Sequence, residues 1–329
     1  MTNSSLMTQQ DVNVHDINRL NVNGKTVLMQ ACEDLNVVSV KTLLENPKLN
    51  VMIQNQYSGQ TAFHYACCAG NLEILHCLLA FVPDINHTDF RGRSGLHEAI
   101  IHNQIAVVNL LLDAIQICVN QPDKDGKTPL MLACFYNRFD ILSNLLHRKD
   151  LDIDHCDKDG CNALHIATER NYTPNVRLLL TSDYKPDVNS RNAINGITSL
   201  MLVKDGGFTA RVLLRQPGIN VNAVDNNGST AFIHAAQNDR MDVLELFTTI
   251  PDLDINIVNN DGLTAFSIAC LQKNPMLAAQ IMQMPKMDLS SVNAAGGHIA
   301  FAVACALHHI DCVSRLLESP DIDPNYKDA

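Results

Sequence analysis

"GKTPLMLAC", Gly126 to Cys134, carries four structural signals in nine residues. Gly126 follows Asp125, and this "DG" step suits a hairpin tip because glycine enters the left-handed region without a Cβ penalty. Thr128 offers a hydroxyl oxygen that can accept from the free amides at a helix start. Pro129 fits a first helical position, where the missing N–H is not needed. The apolar run that follows ends in small Ala133 and Cys134, which allow close helix packing.

The phrase recurs in phase along the chain. Gly24, Gly59, Gly92, Gly126, Gly160, Gly196, Gly228, Gly262 and Gly297 open similar phrases at spacings of 35, 33, 34, 34, 36, 32, 34 and 35. They include "GKTVLMQAC", "GQTAFHYAC", "GRSGLHEAI", "GCNALHIAT", "GSTAFIHAA", "GLTAFSIAC" and "GHIAFAVAC". Thr26, Thr61, Ser94, Thr198, Thr230 and Thr264 repeat the capping hydroxyl of Thr128. After a polar break, a second helix is expected with paired apolar residues 19 and 20 positions past the glycine, as at Leu43 and Leu44 or Leu78 and Leu79. An extended "DIN" or "DVN" phrase leads to the next tip. A unit this short cannot bury its apolar face alone, so the copies must stack.

These phrases resemble the ankyrin repeat, whose motif is close to G-x-T-P-L-H-x-A. The resemblance implies an all-α solenoid of stacked helix-turn-helix units with projecting β-hairpin loops. It assigns residues 1–22 to a leader and partial first hairpin and 23–329 to nine repeats, irregular around 181–217. The irregular copy is "GITSLMLVKDGG", Gly196 to Gly207, whose paired Leu213 and Leu214 come two positions early. Gly206 and Gly207 would each cost about 1 kcal/mol inside a helix, so the first helix is expected to end early and pack more weakly against copy five.

The family resemblance also implies where a partner docks: residues flanking the tip glycine, and the pair that follows the small residues of the first helix. Here those are Tyr57, Phe90, Arg91, Arg93, Lys124, Lys127, Phe135, Tyr136, Lys158 and Arg170. Exposed aromatics and arginines dominate interface energetics, so copies two to five are expected to bind a protein or peptide of acidic and aromatic character. The family further implies asparagine hydroxylation within the "DVN" phrase, with Asn86, Asn120 and Asn222 as candidates; the competing reading is that each Asn satisfies local backbone groups. A non-enzymatic scaffold or adaptor is the leading expectation. The alternative is a regulatory or targeting portion of a larger enzyme or channel polypeptide, favoured by a C-terminal "DIDPNYKDA" that stops where another tip is due.

Composition narrows the classes. The net charge of −11 disfavours nucleic acid, which needs concentrated Lys and Arg. The N-terminal stretch has no apolar core for a signal peptide, and the run "AAGGHIAFAVACAL" is too short for membrane insertion. Eleven cysteines without a secretory signal fit a reducing compartment, so a cytoplasmic monomer is expected, with the nucleus also open. Cys32, Cys67, Cys134, Cys270 and Cys305 share one repeat position and are expected in the core. No cofactor or metal is expected. His155, Cys156, Cys161 and His165 are zinc-ligand types but lack a CxxC pair, and the "DKDG" phrases at Asp123 and Asp157 lack the later acid of a calcium loop. "GKT" at Gly126 lacks the earlier glycine of a nucleotide-binding loop.

Overall fold

The computed structural model describes residues 16–204, 206–272, 274–284, 287, 301, 305 and 310–317. Tip glycine Gly297 and most of the ninth copy lie outside the described residues. The chain divides into two compact units, Met1–Lys158 and Asp159–Ala329.

In the first unit the helices come in pairs: α1 (Val27–Glu33) with α2 (Val37–Leu44), α3 (Ala62–Ala69) with α4 (Leu72–Leu79), α5 (Gly95–Ile101) with α6 (Ile105–Leu112), and α7 (Pro129–Phe135) with α8 (Phe139–Leu145). The first helices α1, α3, α5 and α7 stack in one layer, and the second helices α2, α4, α6 and α8 in another. The second unit repeats the plan with α9 (Ala163–Glu169), α10 (Thr173–Thr181), α11 (Phe208–Leu213), α12 (Ala231–Gln237), α13 (Met241–Phe247), α14 (Ala265–Leu271) and α15 (Pro275–Met282). A further helix spans Ile310–Leu317. These helices fall below the roughly 12–15 residues at which an isolated helix becomes marginal, so their stability comes from stacking.

The stacking surface is set by sequence register. Seven residues after the tip glycine stand Ala31, Ala66, Ala99, Ala133, Ala167, Ala235 and Ala269, all buried, where a small side chain lets neighbouring first helices approach. Leu43, Leu78, Leu111, Leu145 and Leu179, nineteen after the glycine, are buried in the second-helix layer. Each such side chain contributes roughly 1.5–3 kcal/mol relative to an exposed one. Between paired helices the chain turns through a left-handed residue, supplied by Gly70, Asn103, Asn137, Asn171 and Asp239, and in the first copy by Leu35 at φ +57. Asn tolerates this conformation better than most side-chain-bearing residues.

The sixth copy departs from the plan of its neighbours. Its first helix shrinks to a 3₁₀ turn, Ser199–Leu202, after which Val203 is extended. Val203 stands where the other described copies have Ala, and Lys204 where Cys32, Cys67 and Cys134 are buried. Val203 is buried but extended and Lys204 is exposed, because a lysine does not fit that close-packed seam, so the helix stops before them. The 3₁₀ turn still packs between α9 and α12. Gly207, at φ +75, serves directly as N-cap of α11.

The core reading of the cysteines holds for Cys32, Cys67, Cys134 and Cys270, which are buried. Burial pushes the Cys32 and Cys270 thiols up to about 12, and raises Cys67 and Cys134 as well, so none is poised as a thiolate. Cys305 is corrected: although its register matches theirs, it is exposed. Core packing therefore does not account for it.

Candidate partner-binding surface

Each hairpin tip is built around a side-chain acceptor that precedes the glycine. The Asp89 Oδ1 atom accepts from the amides of Arg91 and Arg93 at 2.8 and 2.9 Å. Asp123 receives those of Asp125 and Lys127 at 2.9 Å. Asp225 and Asn259 do the same in the second unit. These residues are buried, so each exchanges water for two directed amide hydrogen bonds. The "DKDG" phrases mark Asp123 and Asp157 as turn residues in the sequence, and an Asp or Asn three residues before a tip glycine is the general form of that signal.

The tip glycines are required twice over. Gly92 and Gly126 have φ of +75 and +84, and a Cβ on either would lie 2.9 Å from the amide nitrogen of Lys124 or Lys158 in the following hairpin. That close approach lets the tips hydrogen-bond in series. Phe90 N donates to Ser58 O at 2.9 Å, Lys124 N to Arg91 O at 2.8 Å, and Lys158 N to Asp125 O at 3.1 Å. The result in the first unit is a rigid row of tips with side chains at a fixed spacing.

Two residues before each glycine, that row presents Val22 at 91% exposure, Tyr57 at 68% and Phe90 at 48%. Lys124 and Lys158 continue it, both exposed, and exposed Arg91 adjoins Phe90. Val22 belongs by register but was missed because the first hairpin was read as partial. The corresponding residues of the second unit are exposed Ile194, Asn226 and Asn260.

Arg93 and Lys127 also make ion pairs within the stack. The Arg93 guanidinium lies 3.5 Å from Asp123 Oδ2 and the Lys127 ammonium 3.3 Å from Asp157 Oδ2, with side chains only 16% and 21% exposed. Each bridges its own tip to the buried acid of the next, so their charges are engaged within the stack. Phe135 and Tyr136 are half-buried and pack edge-on at 5.1 Å, with Arg138 5.9 Å from the Tyr136 ring. Arg170 is exposed at the end of α9 in the second unit.

Below the tips, histidines brace one copy to the next. His64 Nδ1 accepts from the Thr61 amide at 3.2 Å, which puts its proton on Nε2, and Nε2 donates to Arg93 O at 3.0 Å. His165 makes the same pair of contacts, with Asn162 and with Ile197 O at 3.1 Å. Burial lowers the pKa of His64 and brings that of His97 down to about 4. With both ring nitrogens of His165 engaged in the brace, the sequence cluster His155, Cys156, Cys161 and His165 loses its central ligand. Met29 and Met201 hold the same capping position, each sulfur 3.4 Å from the amide of its capping threonine.

The asparagines of the extended phrase form a second ladder. Asn86 donates to Gln116 O at 2.7 Å and accepts from Cys118 N at 2.8 Å. Asn120 clamps Asp150 and Asp152, and Asn222 clamps Asp252 and Asp254, in the same way. Asn18 and Asn189 share the geometry. Each Asn amide therefore ties its loop to the next.

The arrangement has relatives. The family description "Ankyrin repeats (3 copies)" matches residues 3–89, 39–123, 69–157, 96–192 and 164–256. The ankyrin repeat domain of Bcl-3, described as a unique member of the IkappaB protein family, matches with a TM-score of 0.59 and 26% identity, covering 68% of this chain and 99% of that one. BTB/POZ domain-containing protein 1 of Schizosaccharomyces pombe is 34% identical over 80 residues, 24% of this chain and 6% of its own length. SMC5-SMC6 complex localization factor protein 1 of Bos taurus is 29% identical over 109 residues, 33% of this chain and 10% of its own. The chain thus spans a tenth or less of either curated relative. In its recurring tips, its paired helix layers and these matches, the chain belongs to the ankyrin repeat family.

Proposed function

We propose that this protein is a non-enzymatic interaction module that acts as a monomer in a reducing intracellular compartment. Ankyrin repeats mediate protein–protein interaction, and among the described residues no helix is long and apolar enough to cross a membrane. The observation that carries the placement is the tip row of the first unit, where exposed Val22, Tyr57 and Phe90 run into Arg91, Lys124 and Lys158. Rigid aromatics beside cations favour a partner segment with acidic and aromatic or aliphatic side chains. Asp125 is exposed in the same row and moderates its charge.

A displayed-peptide selection on the folded protein tests this reading. Enriched peptides should be acidic with at least one aromatic, and the Tyr57→Ala/Phe90→Ala protein should not retain them. Retention by that variant contradicts the placement. Hydroxylation of Asn86, Asn120 or Asn222 is a separate proposal resting on their place in the extended phrase; native protein with no added oxygen in an intact-mass measurement contradicts it.

A further inference from the structure

Cys68, Glu98 and His102 converge on the first-helix layer of the first unit, from two neighbouring copies. Cys68 lies on α3, Glu98 on α5, and His102 caps the C-terminus of α5 four residues beyond Glu98. The Glu98 side chain is only 6% exposed, an unusual state for a carboxylate. Among the described residues its ion pair is with His102, Nδ1 to Oε2 at 3.7 Å, and the Cys68 thiol reaches the same oxygen at 3.4 Å. No fixed cation offsets the buried charge in these contacts.

The cluster is no requirement of the repeat. The register that supplies Cys68, Glu98 and His102 at this junction supplies Glu33, Tyr65 and Ala69 one junction earlier, and Ile101, Leu132 and Tyr136 one junction later. Thiol, carboxylate and imidazole together are a zinc donor set. Bonds of ~2.0–2.3 Å around a tetrahedral centre put ligand atoms ~3.3–3.6 Å apart. Two of the observed edges are 3.4 and 3.7 Å, and all three donor atoms lie within 4.8 Å of one another.

We propose that Cys68, Glu98 and His102 form a zinc site with three protein ligands and an open fourth position. The His102 side chain is 47% exposed, which gives the ion a route in and leaves room for a water ligand. On binding, the Cys68 thiol releases its proton to solvent and the sulfur bonds to the metal. His102 Nδ1 gives up its 3.0 Å contact with Glu98 O, and Nε2 carries the ring proton. Thiolate and carboxylate then neutralise the divalent ion, resolving the buried charge of Glu98. Because the thiol must lose its proton to bind, affinity should fall as pH falls.

The test uses reduced, metal-stripped full-length protein titrated with Co²⁺ and then Zn²⁺. Wild type should take up one Co²⁺ per chain with a thiolate-to-cobalt charge-transfer band, displaced by equimolar Zn²⁺. Cys68→Ser should abolish the band. His102→Gln and Glu98→Gln should each weaken binding at least ~10-fold. Cys118→Ser, which alters an exposed thiol outside the cluster, should leave it unchanged. Circular dichroism of each variant confirms that the fold persists. No band in wild type, or a band that survives Cys68→Ser, overturns the site.

Discussion

Leu35 occupies the turn between α1 and α2 at φ +57, where copies two to seven place Gly, Asn or Asp. A leucine in this conformation costs roughly 1–2 kcal/mol, and at 49% exposure it recovers little by burial. Leu35→Asn should therefore raise stability by about 1 kcal/mol, read as a higher midpoint in urea unfolding with unchanged slope. His64 gives a residue-scale prediction of opposite sense. Burial holds its folded pKa below the ordinary 6.5, so as pH falls below that value the unfolded chain takes up a proton that the fold resists. This contribution to stability is complete above pH 6.5 and declines in acid; His64→Gln should lose less stability than wild type between neutral pH and about pH 5. Side-chain roles were legible where they are local: the capping Thr26, Thr128 and Thr264 act within three residues of themselves. The Arg93 ion pair went unforeseen because Asp123 lies one repeat away, and Cys68, Glu98 and His102 escaped notice because two copies contribute to the cluster.

At the scale of elements, repeat register explains both the rule and its exception. Tip glycines, helix pairs and the early end of the sixth first helix could all be read from the phrase, because each follows from a fixed distance to one glycine. The cause of the sixth copy's collapse was only half visible: Gly206 and Gly207 suggested it, whereas Val203 and Lys204 at the close-packed seam explain it. A 3₁₀ turn has poorer hydrogen-bond geometry than an α-helix. Backbone amides of Ser199–Leu202 should exchange at least about tenfold faster than those of Ala163–Glu169 and Ala231–Gln237. Equal protection across the three segments would mean that the seam is as tight there as elsewhere.

For the whole molecule, the repeat frame and the proposed recognition surface are made by different residues. Buried Asp89, Asp123 and Asp225, with the left-handed glycines, set the positions of the tips, and the exposed side chains between them take no part in that frame. That division is why sequence alone reveals the fold in detail but does not identify the partner. It also separates two kinds of variant: Gly126→Ala should damage the stack, whereas Tyr57→Ala/Phe90→Ala should leave it standing. The most direct measurement is the dissociation constant of a selected acidic-aromatic peptide for wild type, for Tyr57→Ala/Phe90→Ala, and for a control, Val38→Ser, at a 75% exposed residue of α2 away from the tips. The account predicts that the tip variant binds at least ~100-fold more weakly, as loss of two aromatic anchors implies, with the control unchanged. Binding within about twofold of wild type by a folded tip variant would contradict it.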